Sequence, residues 1–248
     1  MNPAALVNSD RWSLEDDALI GELADTFERE HVVVLPGFLK ESALPALVAE
    51  CDELAEVAYH TTVNANLEVV AYDQFPTTSA IRALYEWDPL MEFVARVLRV
   101  GRLHRYADPF GALNLAVMRE GHELGWHFDQ TDFVVSIAIQ PSVSGGHFEN
   151  VPLVRSADDA NEETVQAVRR GERPDLVRIE PMTPGTLMLF NGRWSYHRVS
   201  RVGGAVPRHV ALLAYDTKPD TVSNEHLRQD RYGRRVAFAT PPEQWPVS

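Results

Sequence analysis

The sequence predicts an α+β fold in which N-terminal helices pack on a C-terminal β jelly roll, all within one domain. Three observations predict it. The chain has 248 residues, enough for one domain with its own hydrophobic core. Apolar residues follow helical spacing in the first half. In the second half, short apolar or alternating runs are separated by Gly, Pro and Ser clusters. We therefore expect a single domain over residues 1–248, with a helical part over about 1–105, a β core over about 106–220, and a tail over about 221–248 that folds over the barrel mouth as a lid.

The first half carries four helical segments. Ser13 and Asp16 resemble a capping box in front of the first helix, which continues through Phe27. A short apolar run with a Pro-Gly break predicts a strand and a turn over His31 to Leu39, and an irregular stretch follows later, with extended character around Leu67 to Tyr72. The other three helices are expected over residues 41–57, 78–87 and 89–100.

The second half is expected to be built of strands. Five runs have the required length and composition: Ala112–Met118, Phe133–Gln140, Leu176–Glu180, Thr186–Phe190 and Arg208–Tyr215. Residues 156–175 interrupt them with a charged sequence of helical character. That segment predicts a surface helix inserted between two strands of the barrel.

Composition excludes several classes of protein. Apolar residues make up 45% and charged residues 24%, which is typical of a globular chain. The formal net charge of −13 argues against nucleic acid or an anionic membrane as the main partner, since both require a basic surface. No window approaches the roughly 18 to 20 unbroken apolar residues of a membrane helix. The N-terminus lacks the basic start and apolar centre of a secretory signal.

The single cysteine, Cys51, has no partner for an internal disulfide, which favours a reducing compartment. We therefore expect a cytoplasmic protein whose partner is a small-molecule substrate. Nothing in the sequence indicates an oligomeric state.

The sharpest chemical feature is the sequence Trp126-His127-Phe128-Asp129, which leads into a strand-like run. Residues two apart in a strand point to the same face, so His127 and Asp129 are expected to reach one metal ion. An imidazole and a carboxylate need a third ligand to form a facial triad, and His197, seventy positions later, is the candidate. Such a triad suits ferrous iron because it leaves adjacent coordination positions open.

Arg208 follows His197 by eleven positions and opens the last long apolar run. A guanidinium at that point is suited to bidentate pairing with the distal carboxylate of a bound dicarboxylate. The rival pair His147 and Glu149 follows two glycines and is interpreted as a turn with a short edge segment, where Glu149 borders the pocket. Motifs typical of dinucleotide folds, P-loops and serine hydrolases are absent from the sequence.

Four segments together resemble the iron(II)/2-oxoglutarate-dependent oxygenases: HFD, GGHFENVP, PGTLMLFNGRWSYHRV and PRHVALLAYDT. More narrowly, they are similar to bacterial radical halogenases and hydroxylases that act on free amino acids. The resemblance covers roughly residues 110–235 and implies a double-stranded β-helix (cupin-like) core that uses Fe(II), 2-oxoglutarate and O2. It also implies that His127, Asp129 and His197 are the iron ligands and that Arg208 binds the distal carboxylate of 2-oxoglutarate.

Asp129 separates two reactions within that resemblance. In the halogenases a glycine replaces this carboxylate and opens a position for chloride, so the aspartate implies a hydroxylase. The implied reaction is hydroxylation of an unactivated aliphatic C–H bond of a small substrate, a free amino acid, with release of succinate and CO2. Two alternatives stay open: the same chemistry on a larger natural-product intermediate or with desaturation or cyclisation as the outcome, and a non-catalytic jelly-roll module that binds a ligand.

Strand alternation extends the prediction to the substrate pocket. Val210, Leu212 and Ala214 should share the face of Arg208, and Thr131, Phe133 and Val135 should continue the face of the two metal ligands. We expect four residues to contact the substrate: Thr131, Phe133, Glu149 and Leu212. Asn114, on the strand before the metal segment, is expected to bind the cosubstrate. The alternative is that this apolar face is simply barrel core.

Overall fold

Four of the helices form a layer at the N-terminal side of the molecule. The structure is a computed structural model, and it describes residues 2–61 and 65–235. Within them the helices are α1 (Asp17–Glu30), α2 (Leu44–Ala55), α3 (Ala80–Glu86), α4 (Asp88–Val97), α5 (Glu162–Arg169) and α6 (Glu225–Tyr232). All four helices expected in the first half are confirmed. None of the helices in the described part of the chain is long and apolar enough to span a membrane.

Helix α1 begins at Asp16 rather than at a box formed with Ser13. The Asp16 carboxylate accepts hydrogen bonds from the backbone N–H groups of Ala18 and Leu19, at 2.9 and 3.1 Å. These are two of the orphan donors at a helix start, so one side chain is a sufficient cap. Ser13 reaches only the backbone of Glu15, before the helix.

The strands are short, as the spacing of turn residues predicts. They are β1 (Val32–Leu35), β2 (Tyr59–Thr61), β3 (Ala65–Val70), β4 (His104–Arg105), β5 (Leu113–Met118), β6 (Glu123–His127), β7 (Val134–Gln140), β8 (Ser144–Gly145), β9 (Phe148–Val151), β10 (Arg178–Glu180), β11 (Leu187–Phe190), β12 (Tyr196–Val199), β13 (Val202–Gly203), β14 (Arg208–Leu213) and β15 (Tyr215–Asp216). The five predicted strand regions are all confirmed.

The main sheet folds over on itself to make the two layers of a jelly roll. Its strands pair in the order β1-β11-β7-β14-β5-β3-β6-β12-β9-β10, with β2 beside β3, and all pairs are antiparallel. Strand β3 is the seam, since Glu68–Val70 pair with β5 in one layer and Ala65–Asn66 pair with β6 in the other. The α+β jelly-roll prediction is confirmed.

The N-terminal part contributes more than helices. Strand β1 pairs with β11 at the outer edge of the first layer, from Val32 opposite Phe190 to Leu35 opposite Leu187. Strands β2 and β3 lie in the region that we expected to be irregular. The helical part and the β core predicted as successive segments are therefore interleaved in space.

The first layer consists of β1, β11, β7, β14 and β5, and the second of β6, β12, β9 and β10. Two apolar cores lie on opposite sides of the first layer. Helices α1 to α4 pack on its outer face, where alternate residues of β7, including Val135, Ile137 and Ile139, are buried. A smaller cluster lies between the layers and includes Met118, Phe148, Met188, Phe190 and Val199. The interior is only partly filled by this second cluster, and the remaining space is the cavity described below.

The predicted surface helix between strands is α5. It covers the outer face of the second layer, where Val168 packs with Val151, Val154 and Tyr196. Trp126 and Phe128 stack on Tyr196 in the same cluster, with ring centroids 5.2 and 4.7 Å away. These aromatic side chains flank His127 in sequence but lie on the other face of the sheet, and they fix the strand from behind.

Helix α6, which belongs to the predicted tail, contributes Leu227, Asp230, Arg231 and Tyr232 to the lining of the barrel cavity. The Asn224 side chain caps its first turn, and Gly233 ends it with a positive φ of 69°. Tyr232 stacks on Phe110 with centroids 5.6 Å apart, and its hydroxyl donates to Asn114 Oδ1 at 2.5 Å. Residues 236–248 of the predicted lid lie outside the described residues.

Asp108 fastens the start of this helix to the barrel. Its buried carboxylate accepts from the N–H groups of Phe110, Gly111 and Ser223 at 2.8, 3.0 and 2.6 Å, and from Arg228 at 3.2 Å. Burial alone would raise the pKa of Asp108, but these donors outweigh it and hold the pKa below its usual value.

Replacing Asp108 with asparagine should destabilise the fold by about 1–3 kcal/mol at pH 7, because an amide cannot accept all these bonds. A lowered folded pKa adds stability above the unfolded value of about 3.9, and that stability is lost as pH falls through the folded pKa. Urea unfolding at pH 7 and pH 3 should therefore show a smaller pH effect in Asp108→Asn than in the wild type. Exposed Asp158→Asn is the control, and an equal pH effect in both variants would contradict the prediction.

Candidate metal centre

Three metal-ligand side chains meet inside the barrel at the end under α6. His127 is the last residue of β6, His197 lies opposite it on β12, and Asp129 follows in the loop after β6. The ligand atoms of the three residues all lie within 4.8 Å of one another. Asp129 Oδ1 is 3.5 Å from His127 Nε2, and Asp129 Oδ2 is 3.2 Å from His197 Nε2.

The strand alternation that we used to predict this pair does not explain it. The chain leaves β6 at His127 and re-enters a strand only at Val134. Asp129 is positioned instead by its backbone, whose N–H donates to the carbonyl of Gly192 at 3.0 Å. The structure brings the three predicted residues together, but the loop after β6, and not strand alternation, places Asp129 beside the histidines.

Backbone carbonyls set the tautomers of both histidines. His127 Nδ1 lies 2.8 Å from the carbonyl of Gly125, and His197 Nδ1 lies 3.0 Å from the carbonyl of Ser195. A carbonyl only accepts, so each Nδ1 carries the proton in these contacts. In the neutral rings, both Nε2 atoms therefore present lone pairs towards Asp129.

This arrangement fits a bound cation. Two imidazole lone pairs and a carboxylate converge on one point, and acceptors that face each other at 3.2 and 3.5 Å repel unless a positive charge lies between them. Burial alone would raise the pKa of Asp129, whereas positive charge at His197 and hydrogen bonds from protonated His127 and His197 would lower it below its usual value. A cation held between the three side chains would stabilise the carboxylate in the same direction. Two nitrogen donors and one oxygen donor, with the other side open to a cavity, are the donor set expected of non-haem iron(II).

Gly192 lies directly against the carboxylate. A Cβ at this position would lie 2.8 Å from Asp129 Oδ2 and 2.8 Å from a methyl of Val134, closer than real Cβ contacts allow. The missing side chain therefore makes room for Asp129 in its observed position.

Gly192→Ala should weaken iron(II) binding by about 10- to 100-fold, the range typical of groups that orient metal ligands. Anaerobic iron(II) titration measures it, with Gly101→Ala as the matched control because its Cβ would meet nothing within 4 Å. Equal affinities in the two variants would show that Gly192 does not position Asp129.

A second group, His60, Glu68 and His122, also has ligand atoms within 4.8 Å of one another. The hairpin of β2 and β3 brings His60 against His122, with ring centroids 5.2 Å apart. Both oxygens of Glu68 already accept from Arg119, at 2.9 and 3.1 Å, and His122 Nδ1 accepts the Arg119 backbone N–H. The Glu68 carboxylate and His122 Nδ1 are therefore already engaged, which makes this group a weaker cation site than the first.

The metal centre opens into a cavity of about 620 Å³ between the two layers. Arg208 lies in its wall, buried, and its only hydrogen bond within the described residues is to Met118 Sδ at 3.6 Å. Burial lowers the pKa of Arg208 to about 10, so the guanidinium stays charged at pH 7. A buried cation without a carboxylate partner is costly, which makes this position suited to an anionic ligand.

The predicted pocket residues are distributed unevenly. Thr131, Phe133 and Leu212 line the cavity, and so does Asn114. Asn114 Nδ2 donates to the carbonyl of Gly111 at 3.2 Å, and its oxygen accepts from Tyr232. Cosubstrate binding by Asn114 stays a prediction.

Glu149 is separated from these residues. It pairs with Arg198 at 2.8 Å, and in the register of β9 and β12 these two residues oppose each other one position away from His197. Since neighbouring residues of a strand face opposite ways, Glu149 faces out of the barrel. Glu149 does not line the cavity, and we assign it no substrate contact.

The predicted inward row of β7 is displaced by one residue. Val134 packs against the interior core, whereas Val135 is buried on the helix side. The irregular residues before Val134 break the alternation that we had carried forward from Asp129. Ser136, which the sequence analysis missed, is therefore in the cavity wall, and its buried hydroxyl has no hydrogen-bond partner among the described residues.

The fold is shared with known 2-oxoglutarate-dependent oxygenases. A 2OG-Fe(II) oxygenase family oxidoreductase from Burkholderia pseudomallei is 15% identical, with a TM-score of 0.59 over 82% of this chain and 93% of that chain. A prolyl-4-hydroxylase from Pseudomonas putida is 14% identical, with a TM-score of 0.55 over 78% and 96%. The epimerase SnoN of nogalamycin biosynthesis is 16% identical, with a TM-score of 0.62 over 81% and 82%. The chain has the jelly-roll fold of this enzyme class.

The sequence places it more narrowly. Residues 14–232 match the profile of the Halogenase D family, which spans most of the chain. The chain belongs to that family. No curated protein matches the sequence.

Proposed function

We propose that the protein is an iron(II)/2-oxoglutarate-dependent dioxygenase that hydroxylates an unactivated aliphatic C–H bond of a small substrate, a free amino acid. Succinate and CO2 are the coproducts. One observation carries the proposal: three metal-ligand atoms converge in the wall of a cavity that also contains a buried guanidinium with no carboxylate partner in the described part of the chain. The shared fold and the family match support the same class.

His127, His197 and Asp129 would hold the iron, and Arg208 would bind the distal carboxylate of 2-oxoglutarate. Iron(II), 2-oxoglutarate and O2 together supply the oxidising power for C–H cleavage, which no side chain of this protein provides. The protein supplies position. The Gly125 and Ser195 carbonyls keep both Nε2 atoms free, so that the ligand set is formed before the metal binds.

The cavity wall positions the substrate and excludes water. Apolar side chains dominate the part between Arg208 and the metal centre, among them Met118, Val210, Leu212, Met188 and Phe190. Such a wall suits an aliphatic group held against the metal and offers no ammonium partner there. The reacting end of the substrate is therefore expected to be apolar.

Asp129 favours hydroxylation over halogenation within the Halogenase D family. Its carboxylate takes the third ligand position, which is occupied by a glycine in the radical halogenases that this sequence resembles. Gly192 lacks the side chain that would obstruct it. Since Asp129 fills the position that chloride would need, hydroxyl is the group expected in the product.

A second candidate is the same chemistry on a larger substrate, or with desaturation or cyclisation as the outcome. The volume of about 620 Å³ favours it, because such a cavity accommodates a drug-sized ligand. SnoN, with a similar fold, is an epimerase of nogalamycin biosynthesis. Product mass separates the outcomes, since hydroxylation adds one oxygen and desaturation or ring closure removes two hydrogens.

The test is an anaerobic titration of metal-free protein with iron(II) and 2-oxoglutarate, read by the visible charge-transfer band of a chelated keto acid. Pools of amino acids are then added, and succinate is measured after oxygen is admitted. A band that one pool shifts, with substrate-dependent succinate, is the expected result. A wild-type protein that forms no band would contradict the oxygenase proposal and favour a non-catalytic module that binds a ligand.

A further inference from the structure

Arg231 is a second guanidinium in the cavity wall, far from Arg208. Among the described residues it has no ion-pair partner; its Nε donates to Asn114 Oδ1 at 3.4 Å, and its guanidinium also contacts the hydroxyl of the neighbouring Tyr232. No carboxylate in the described part of the chain neutralises its charge. Arg231 is partly buried and lies on the inward side of α6.

The two cations mark opposite ends of the cavity. The Arg208 guanidinium lies at Met118 and that of Arg231 at Asn114, and these two residues lie on the same face of β5, four positions apart. Four residues of extended strand span about 13 Å. The five-carbon chain of 2-oxoglutarate is shorter than two residues of extended chain, about 7 Å, so this spacing along β5 suits two separate anions rather than one molecule bound to both cations.

The Arg231 side chain is held in place before any ligand arrives. Tyr232 donates to the same Asn114 oxygen and stacks on Phe110, which anchors the end of α6 on the barrel. Asp108 anchors its start. Because both ends of α6 are anchored, the Arg231 side chain loses little conformational entropy when an anion binds, which favours binding.

We propose that Arg231 binds the carboxylate of the substrate and thereby determines which compounds the enzyme accepts. This inference rests on the proposed function and specifies how the substrate is held in that same cavity. Arg208 takes the cosubstrate, Arg231 takes the substrate acid, and the apolar wall between them receives the aliphatic end. Asp230 also lines the cavity; its Oδ2 lies 3.1 Å from His226 Nε2, and its other carboxylate oxygen offers an acceptor for an ammonium group beside that carboxylate.

The other cations at the cavity are less suited to this role. Arg193 is paired with Asp132. Lys218 is exposed, where an ion pair with a ligand gains little. Arg231 alone among these three combines partial burial with the absence of an ion-pair partner among the described residues.

The test compares aliphatic α-amino acids with their carboxamides, which keep the amine and the side chain but lose the anion. Wild-type protein is loaded anaerobically with iron(II) and 2-oxoglutarate, and the shift of its charge-transfer band is followed as each compound is added. The concentration of an acid that gives half of the shift should be at least about 30-fold lower than that of its amide. A loss of about 2 kcal/mol for a desolvated charge pair corresponds to that ratio. In Arg231→Gln the preference should disappear, with a KM for the acid raised by about 30-fold or more and an unchanged KM for 2-oxoglutarate.

Arg231→Lys keeps the charge but loses the planar fork and should fall between the two. Exposed Arg235→Gln is the matched control from the same tail and should behave as the wild type. An intact charge-transfer band in every variant shows that the fold and the iron site survive.

The outcomes separate the two proposals. A wild type without the band overturns the proposed function. A band that forms, with equal responses to acids and amides, overturns the Arg231 assignment alone. A band that no carboxylate in the panel moves overturns the Arg231 assignment together with the proposed amino-acid substrate, and leaves the iron and 2-oxoglutarate site standing. Arg231→Gln matching Arg235→Gln would also overturn it.

Discussion

Replacing Asp129 with alanine should weaken iron(II) binding by more than about 100-fold, beyond the 10- to 100-fold typical of groups that only orient ligands. The reason is geometric: Asp129 supplies the one anionic ligand and lies 3.2 Å from His197 Nε2 and 3.5 Å from His127 Nε2. Without the carboxylate, two neutral imidazoles remain as ligands, and no negatively charged side chain offsets the charge of the iron. The measurement is anaerobic iron titration followed by the charge-transfer band with 2-oxoglutarate.

Asp158→Ala is the control, because this aspartate is exposed on the insertion before α5. Its iron affinity should equal that of the wild type. If Asp129→Ala retained tight iron binding and full substrate-dependent succinate release, the three-residue metal centre would be wrong. Loss of the band together with loss of cooperative unfolding would instead indicate a folding defect, so both are recorded for each variant.

Arg208→Met should raise the KM for 2-oxoglutarate by at least about 30-fold, from a lost interaction of 2 kcal/mol or more. The same substitution should leave the melting temperature of the ligand-free protein unchanged or higher. A buried guanidinium whose one described hydrogen bond is to a thioether is costly to the fold, and an apolar side chain of similar length removes that cost. Loss of cosubstrate binding without loss of stability distinguishes a ligand-binding cation from a structural one.

Arg201→Met, a change at an exposed arginine, is the control and should leave the KM for 2-oxoglutarate unchanged. A lower melting temperature with an unaltered KM in Arg208→Met would show that Arg208 serves the fold. That result would remove the cosubstrate assignment and leave the metal centre untouched.

The sequence predicts side-chain orientation well in segments with a repeating apolar pattern and less well in the irregular segments between strands. Residue type and order predict His127, Asp129, His197 and Arg208 as site residues, and the structure places all four around one cavity, while their roles stay predictions. Alternation failed between His127 and Val134, because no strand exists there to carry it. Positions after that break, such as Val135, were assigned to the wrong face.

Other features depend on contacts between distant segments. Gly192 matters only because Asp129 approaches it from another loop, and a glycine in a turn is otherwise unremarked. Arg231 belongs to a polar helix whose inward side is set by Asn114 and Phe110 on the barrel. The extended character near Leu67 was visible, but its place as the seam between two layers follows from partners elsewhere in the chain.

The pairing of β1 with β11 has a consequence for how the chain is made. Val32 finds its partner Phe190 only after most of the chain has left the ribosome, and β3 also waits for β5 and β6. Contacts between such distant segments slow folding, because loop closure precedes the favourable contacts. Until then the edges of β1 and β3 are open to pairing with other chains. Slow synthesis and low temperature should therefore increase the yield of native protein, and a nascent chain stalled before β11 should depend on chaperones.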